Sequence, residues 1–216
     1  MKIIKPYYHI LNTIEELNSM IDRIAQIART CYKSEDRANP IDDRYLVAKL
    51  IKNGHEAMIE HCSISVKFVC DRGISHELVR HRVASFAQES TRYCNYSKEK
   101  FGKNITFIRP CFWEEEWKEN IPENKYDIWY DAMLDAEEKY LELIEMGASP
   151  QEARSVLPNS LKTEIVITAN LREWRHILKL RTAKAAHPQM LELMIPLAKD
   201  LHELMPLIFD EVEDLK

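Results

Sequence analysis

SISVKFVCDRGISHELVRHRVASFAQES, residues 63–90, is the stretch from which the fold can be read. Ile64, Val66 and Phe68 alternate with Ser65 and Lys67, the period-two pattern of a strand over 63–70. A turn at Asp71–Gly73 leads into a helix near 75–86. There Glu77, Arg80, His81 and Ala84 share one polar face by i, i+3, i+4, i+7 spacing. Leu78 and Val79 lean toward a core, and the chain leaves the helix at Gln88–Arg92.

Leu161–Thr168 alternates in the same way and reads as a second central strand. Asn170 then caps a helix, with Glu173 three residues on, and that helix carries Arg172, Arg175, His176 and Arg181. Residues 2–9 fit a short strand. Thr13 and Glu16 have capping-box spacing before a helix over 14–29, and Leu46, Val47, Leu50 and Ile51 mark a second helix stopped by Gly54. Residues 95–123 are mixed, with a strand at Ile105–Ile108. A long helix fits 124–146, closed by Gly147. Ser149-Pro150-Gln151-Glu152 opens a short helix that carries Arg154 and ends before Pro158. His187-Pro188 opens a C-terminal helical region, interrupted at Pro196 and Pro206. With no repeats and no linker, the expectation is one α/β domain of α+β type over 1–216, a central mixed or antiparallel sheet flanked by helices.

The chain of 216 residues is 45% hydrophobic and 30% charged, enough apolar content for one large core. Four glycines and nine prolines argue against low complexity. A net charge of −5 argues against a nucleic-acid coat or an anionic-membrane binder, so any positive field is local. Five cysteines without a CxxC fit free thiols in a reducing compartment. The start MKIIKPYYHI lacks a signal-peptide pattern, and no run of about 18 apolar residues would span a bilayer. A soluble cytoplasmic protein is expected.

RHRVASFAQESTRY, residues 80–93, puts Arg80, His81, Arg82 and Arg92 among Ser85, Gln88, Ser90 and Tyr93. Arginine forks suit phosphate and carbonyl or imide edges, so this stretch is a candidate anion site; solvated surface arginines are the plain alternative. Other chemistries find less support. His55-Glu56 resembles half of a zinc motif, but Ile59 stands where the second histidine belongs, so no metal is expected. No nucleophile elbow surrounds any serine, and neither GxxxxGK nor GxGxxG occurs. On the residues alone, a flavin-free nucleotide-phosphate-binding transferase or hydrolase remains open. So does a non-catalytic RNA-binding module, although the acidic balance and the lack of an aromatic-interleaved basic stripe count against it.

Arg80-His81-Arg82, seven residues, then Ser90 resembles the signature of the flavin-dependent thymidylate synthases. GHEAMIEH at 54–61, ARSVLP at 153–158 and ANLREWRHILKLR at 169–181 resemble further segments of that family in the same order. The resemblance implies conversion of dUMP to dTMP in de novo thymidylate biosynthesis. Methylenetetrahydrofolate would be the carbon donor, FAD the hydride carrier and NADPH the reductant. It also implies homotetramers whose sites are built from more than one subunit.

Carried over residue by residue, the resemblance gives Ser90, Arg92 and Arg154 to the nucleotide phosphate, and Glu77, Arg80, Gln88, Glu89 and Thr91 to other dUMP contacts. His55, Ala57, Arg80, His81, Arg82, Val83, Gln88, Asn170, Leu171, Arg172 and His176 fall to the FAD side. Arg181 is expected to face the uracil edge as the catalytic group, favouring the imidate form that makes carbon 5 electron-rich. Arg80 and His81 are expected to place positive charge near the reduced, anionic flavin. Gln88 stands where some members have Glu, Thr91 where some have Gly, and Cys31 aligns loosely with a flavin-contacting Ser.

Overall fold

Ile64, Val66 and Phe68 are fully buried, as their alternation requires. The computed structural model describes residues 1–113 and 124–210. Its strands are β1 Lys2–Ile4, β2 Tyr7–Ile10, β3 Ser63–Asp71, β4 Ala84–Gln88, β5 Thr106–Ile108 and β6 Lys162–Asn170. Its helices are α1 Ile14–Thr30, α2 Pro40–Lys52, α3 Arg72–Leu78, α4 Lys125–Glu145, α5 Pro150–Ala153, α6 Leu171–Arg181 and α7 Pro188–Leu204. The strand order in the main sheet is β2-β3-β6-β4. Arg72 N–H donates to Asn159 O at one end of β3 and Leu171 N–H to Cys62 O at the other, so β3 and β6 run antiparallel. β1 and β5 form a separate parallel pair, with Ile3 opposite Phe107.

The fold is α/β with an antiparallel main sheet, as expected. The residues group into two compact units. The first holds Met1–Tyr7, Phe68–Arg80 and Ala87–Ile165; the second holds Tyr8–Lys67, His81–Phe86 and Val166–Lys216.

In the first unit α4 buries Met133 and Tyr140, seven residues apart on one face, against Tyr96, Ile105, Phe107, Ala153 and Leu161. Glu137 is buried beside them, and its carboxylate accepts from Ile105 N–H at 2.6 Å. Asp71 caps α3 by accepting from Ile74 N–H at 2.7 Å. A Cβ on Gly73 would lie 3.0 Å from that Asp71 oxygen, so glycine keeps the cap clear.

In the second unit α1 buries Leu17, Ile21, Ile24 and Ala28, and α2 buries Val47, Leu50 and Ile51. Arg29 donates through Nε and Nη2 to the Asp43 carboxylate at 2.9 and 2.6 Å, a buried pair that ties these two helices. Leu171, Trp174, Ile177 and Leu178 form the buried face of α6. The Trp174 indole N–H donates to Ile64 O at 2.9 Å. No helix among the described residues is long and apolar enough to cross a membrane.

Several expectations need correction. The helix expected near 75–86 ends at Leu78, and 84–88 is strand β4. The polar face of Glu77, Arg80, His81 and Ala84 therefore does not exist as a helical face. Ala84, Phe86 and Gln88 alternate with exposed Ser85 and Ala87, and pairing with β6 secures that second pattern. α2 starts earlier than expected, because Asn39 caps it ahead of Pro40. The strand expected over 2–9 divides around Pro6, which has no N–H to donate. Pro196 lies inside α7 without interrupting it. A mid-helix proline costs about 3 kcal/mol, whereas α7 buries Met190, Leu193, Met194, Leu197 and Leu201 at about 1.5–3 kcal/mol each. Of the mixed stretch 95–123, residues 114–123 lie outside the described residues.

Trp174→Phe should remove the indole donor and leave the Ile64 carbonyl without it in a dry environment. A loss of about 1–3 kcal/mol is expected in urea unfolding. An unchanged midpoint would show that this bond does not hold α6.

Candidate nucleotide and flavin site

In the second unit the site begins at Asn170, which ends β6 and caps α6 by accepting from Glu173 N–H at 2.8 Å. Burying one face of α6 turns Arg172, Arg175, His176 and Lys179 outward, where they line a cavity of about 510 Å³ with Asn170 and Val83. Glu56, Glu60 and Glu173 line it too. Glu60 pairs with Arg172 at 2.6 Å, and Glu56 stands 3.5 Å from Arg172 and 3.2 Å from Arg175. Asp210 also pairs with Arg175, at 2.6 Å. Three cations therefore face three acids, and the lining is close to neutral.

His81 is buried at 5% exposure in the same unit. Arg181 donates Nε–H to His81 Nε2 at 2.9 Å. A guanidinium only donates, so Nε2 must offer its lone pair and the ring proton sits on Nδ1. Nδ1 lies 3.6 Å from the Glu173 carboxylate. Burial first, then Arg181 and His176, push the His81 pKa down to about 4. His81 is thus neutral near pH 7, which corrects the expectation that it carries positive charge toward a flavin.

His81, Glu173 and His176 each offer one potential ligand atom within 4.8 Å of one another, the donor types of a two-histidine, one-carboxylate metal centre. His81 cannot serve in one as it stands. One nitrogen accepts from Arg181 and the other is protonated.

In the first unit the expected nucleotide residues sit around β4 and the turn after it. Gln88 donates its amide to Ser75 Oγ at 2.9 Å and Thr163 Oγ1 at 3.2 Å. A glutamate at this position could donate to neither. The Glu89 carboxylate accepts from Tyr96 OH at 3.0 Å and Lys162 at 2.8 Å. Both of its oxygens are thus engaged by the fold. Ser90 begins a tight turn: its carbonyl accepts from Tyr93 and Cys94, and its Oγ accepts from Arg92 N–H at 3.3 Å. Arg92 is exposed, with its guanidinium over the Tyr93 ring at 5.4 Å. Arg154 donates to Thr91 Oγ1 at 3.3 Å, which brings together two expected residues 63 positions apart. Arg80 is exposed beyond α3, and Glu77 is half-buried.

Other expected residues fall elsewhere. His55 is exposed and lines a different cavity in the second unit, about 570 Å³, with Arg29, Tyr32 and Lys49. Ala57 and Arg82 are exposed. Leu171 is buried in the core and its N–H is taken by Cys62 O, so neither its side chain nor its amide faces the cavity. The sequence reading left out Lys162, Tyr96 and Lys179, met Glu56 and Glu60 only within the GHEAMIEH segment without giving them a site role, and took Glu173 only as a cap marker. The available signal was spacing: Glu173 and His176 are i, i+3 on a helix whose buried face was already legible.

The thymidylate synthase complementing protein family model matches residues 14–207. A flavin-dependent thymidylate synthase of Corynebacterium aurimucosum is 33% identical over 210 residues, covering 92% of this chain and 82% of its own. Those of Pyrococcus abyssi and Geobacter sulfurreducens are 30% and 28% identical. The first covers 82% of this chain and 70% of its own; the second covers 86% and 79%. The crystal structure of a UMP/dUMP methylase, PolB from Streptomyces cacaoi, bound with 5-Br dUMP, superposes with a TM-score of 0.76. It covers 97% of this chain and 96% of its own at 21% identity, a likeness of fold. The chain belongs to the thymidylate synthase complementing protein family.

Proposed function

We propose that the protein is a flavin-dependent thymidylate synthase that methylates dUMP to dTMP. Methylenetetrahydrofolate is the carbon donor, FAD the cofactor and NADPH the reductant. The observation that carries the reading is the Arg154–Thr91 bond, which joins the segment after β4 to the segment around α5. Ser90 and Arg92 lie on the same turn as Thr91, while Lys162 and Tyr96 occupy the neighbouring carboxylate of Glu89. Permanent cations and a hydroxyl are thereby gathered beside a carboxylate that is already engaged, as suits a phosphate monoester.

The residues around the second unit's cavity fit a flavin dinucleotide. Such a cofactor presents an anionic pyrophosphate and ring edges with both donors and acceptors. Arg172, Arg175 and Lys179 suit the first. The Asn170 amide and the acids suit the second, with the Asn170 carbonyl already committed to Glu173 N–H. The chemistry FAD supplies when bound is hydride carriage; the protein binds, orients and tunes it. Arg181 acts as the donor to the uracil edge, its Nε held by His81. The neutral His81 contributes orientation, and the positive charge belongs to the arginine. The whole chain is read as one synthase domain, active as a homotetramer in the cytoplasm. A single family model running through segments of both units supports that reading.

Purified protein should be yellow. It should form dTMP only when dUMP, FAD, NADPH and methylenetetrahydrofolate are all supplied, as omission of each in turn would test. Turnover without flavin would favour a flavin-free transferase instead. Arg154→Ala should weaken dUMP binding by about 10- to 100-fold in calorimetric titration, the worth of about 1.5–3 kcal/mol for a charged hydrogen bond. An unchanged titration would remove Arg154 from the phosphate site. Arg181→Ala should lower kcat by about 100- to 1,000-fold with little change in dUMP affinity. Near-normal turnover would sink its catalytic role.

A further inference from the structure

Among the described residues, three helices open with a polar cap and a glutamate three residues later. At α1 the Glu16 carboxylate returns to the N-cap backbone of Thr13, and at α5 that of Glu152 returns to Ser149. At α6 Asn170 Oδ1 accepts from Glu173 N–H, but the Glu173 carboxylate lies toward His81, 3.6 Å from Nδ1, within reach of a small side-chain adjustment. Beyond His81 lies Arg181 Nε, 2.9 Å from the opposite ring nitrogen. An acceptor-only carboxylate stands at one end and a donor-only guanidinium at the other. A neutral imidazole can satisfy both in one tautomer alone, protonated at Nδ1. In the other tautomer two N–H groups would oppose each other across the Arg181 contact.

We propose that Glu173 is a positioning residue for Arg181, acting through His81: the carboxylate holds the Nδ1–H tautomer, and Nε2 then fixes Arg181 Nε–H. The proposal rests on the reading of Arg181 as the donor to uracil. Arginine is a long, rotamer-rich side chain, and Arg181 sits in the last turn of α6, only half-buried. The Nε–H bond lies in the guanidinium plane, so anchoring it sets where the remaining donors point. The low basicity of His81 agrees, since a neutral ring is what the chain of contacts demands. His176 packs edge-on to His81 at 6.1 Å ring to ring, and one potential ligand atom of each of His81, Glu173 and His176 lies within 4.8 Å of the other two.

The first test uses ¹⁵N NMR of the purified full-length protein at pH 7. His81 should be protonated at Nδ1 and bare at Nε2, and Arg181 should show a sharp Nε–H signal. Glu173→Ala should broaden or remove that signal. Glu173→Gln, whose carbonyl can accept from Nδ1–H, should keep it. An Nε2-protonated or doubly protonated His81, or an Arg181 signal indifferent to Glu173→Ala, overturns the proposal whether or not the protein methylates dUMP. The second test is kinetic. Glu173→Ala should lower kcat by about 10- to 100-fold, the scale of a misplaced catalytic group, with KM for dUMP little changed. Glu173→Gln should recover most of the loss. Adding Glu173→Ala to Arg181→Ala should cost nothing further. A loss confined to KM, an unchanged kcat, or additive losses in the double variant would refute positioning through Arg181. Absence of dUMP methylation in the unmodified protein would instead sink the functional reading, leaving the NMR result to decide the Glu173–His81–Arg181 chain.

Discussion

The Trp174 indole bond to Ile64 O is the contact on which the second unit's site depends. It fixes the rotation of α6 about its own axis, because Trp174 shares a face with Leu171, Ile177 and Leu178. With 3.6 residues per turn, burying those four leaves Arg172, Arg175, His176 and Lys179 no choice but the cavity side. The energetic ranking is plain. Burying four large apolar side chains is worth about 1.5–3 kcal/mol each, whereas exposed ion pairs contribute about 0–1 kcal/mol. Packing therefore decides where the charges go, and the charges then decide what the cavity can hold.

The two units handle charge differently. Around the first unit's turn, Lys162 and Tyr96 absorb the Glu89 carboxylate, and Arg154 spends a donor on the neutral Thr91 hydroxyl. Cationic character survives there. Burial and then Glu89 hold the Tyr96 phenol well above its ordinary range, so its proton stays on the hydroxyl that Glu89 binds. In the second unit Glu56 and Glu60 engage Arg172 and Arg175 directly, and the cavity lining sums to zero. An anion entering that cavity must displace carboxylates from guanidinium groups, whereas around the first unit's turn Arg154 donates to a neutral hydroxyl and Arg92 lies over the Tyr93 ring.

Local rules made much of this readable. The caps at Thr13, Ser149 and Asn170 and the alternation in β3 and β6 are decided within a few residues, and each stands where the sequence predicts. Residues 80–88 were not readable in that way. Their spacing satisfies a helical face and a strand together, and the tie is broken by pairing with β6, some 80 positions later. The acids of the cavity escaped for a similar reason. Glu56 and Glu60 belong to a short 3-10 segment after Gly54, and nothing local announces that they will meet Arg172 and Arg175. Gln88 is a subtler case. Its amide donates to hydroxyls on two different elements, Ser75 and Thr163, which no local pattern announces.

The Arg-His-Arg run shows why counting cations in a sequence misjudges charge at a site. Arg80 falls in the first unit, His81 and Arg82 in the second, and Arg92 back in the first. Within it, His81 loses its charge to burial and to the guanidinium beside it. That loss is useful. A protonated His81 would place two positive groups 2.9 Å apart and have no lone pair for Arg181, whereas the neutral ring passes the demand for an acceptor from Arg181 back to Glu173. The residue that resembles a cation in the signature thus serves as an acceptor, and its worth to the site lies in the proton it does not take up.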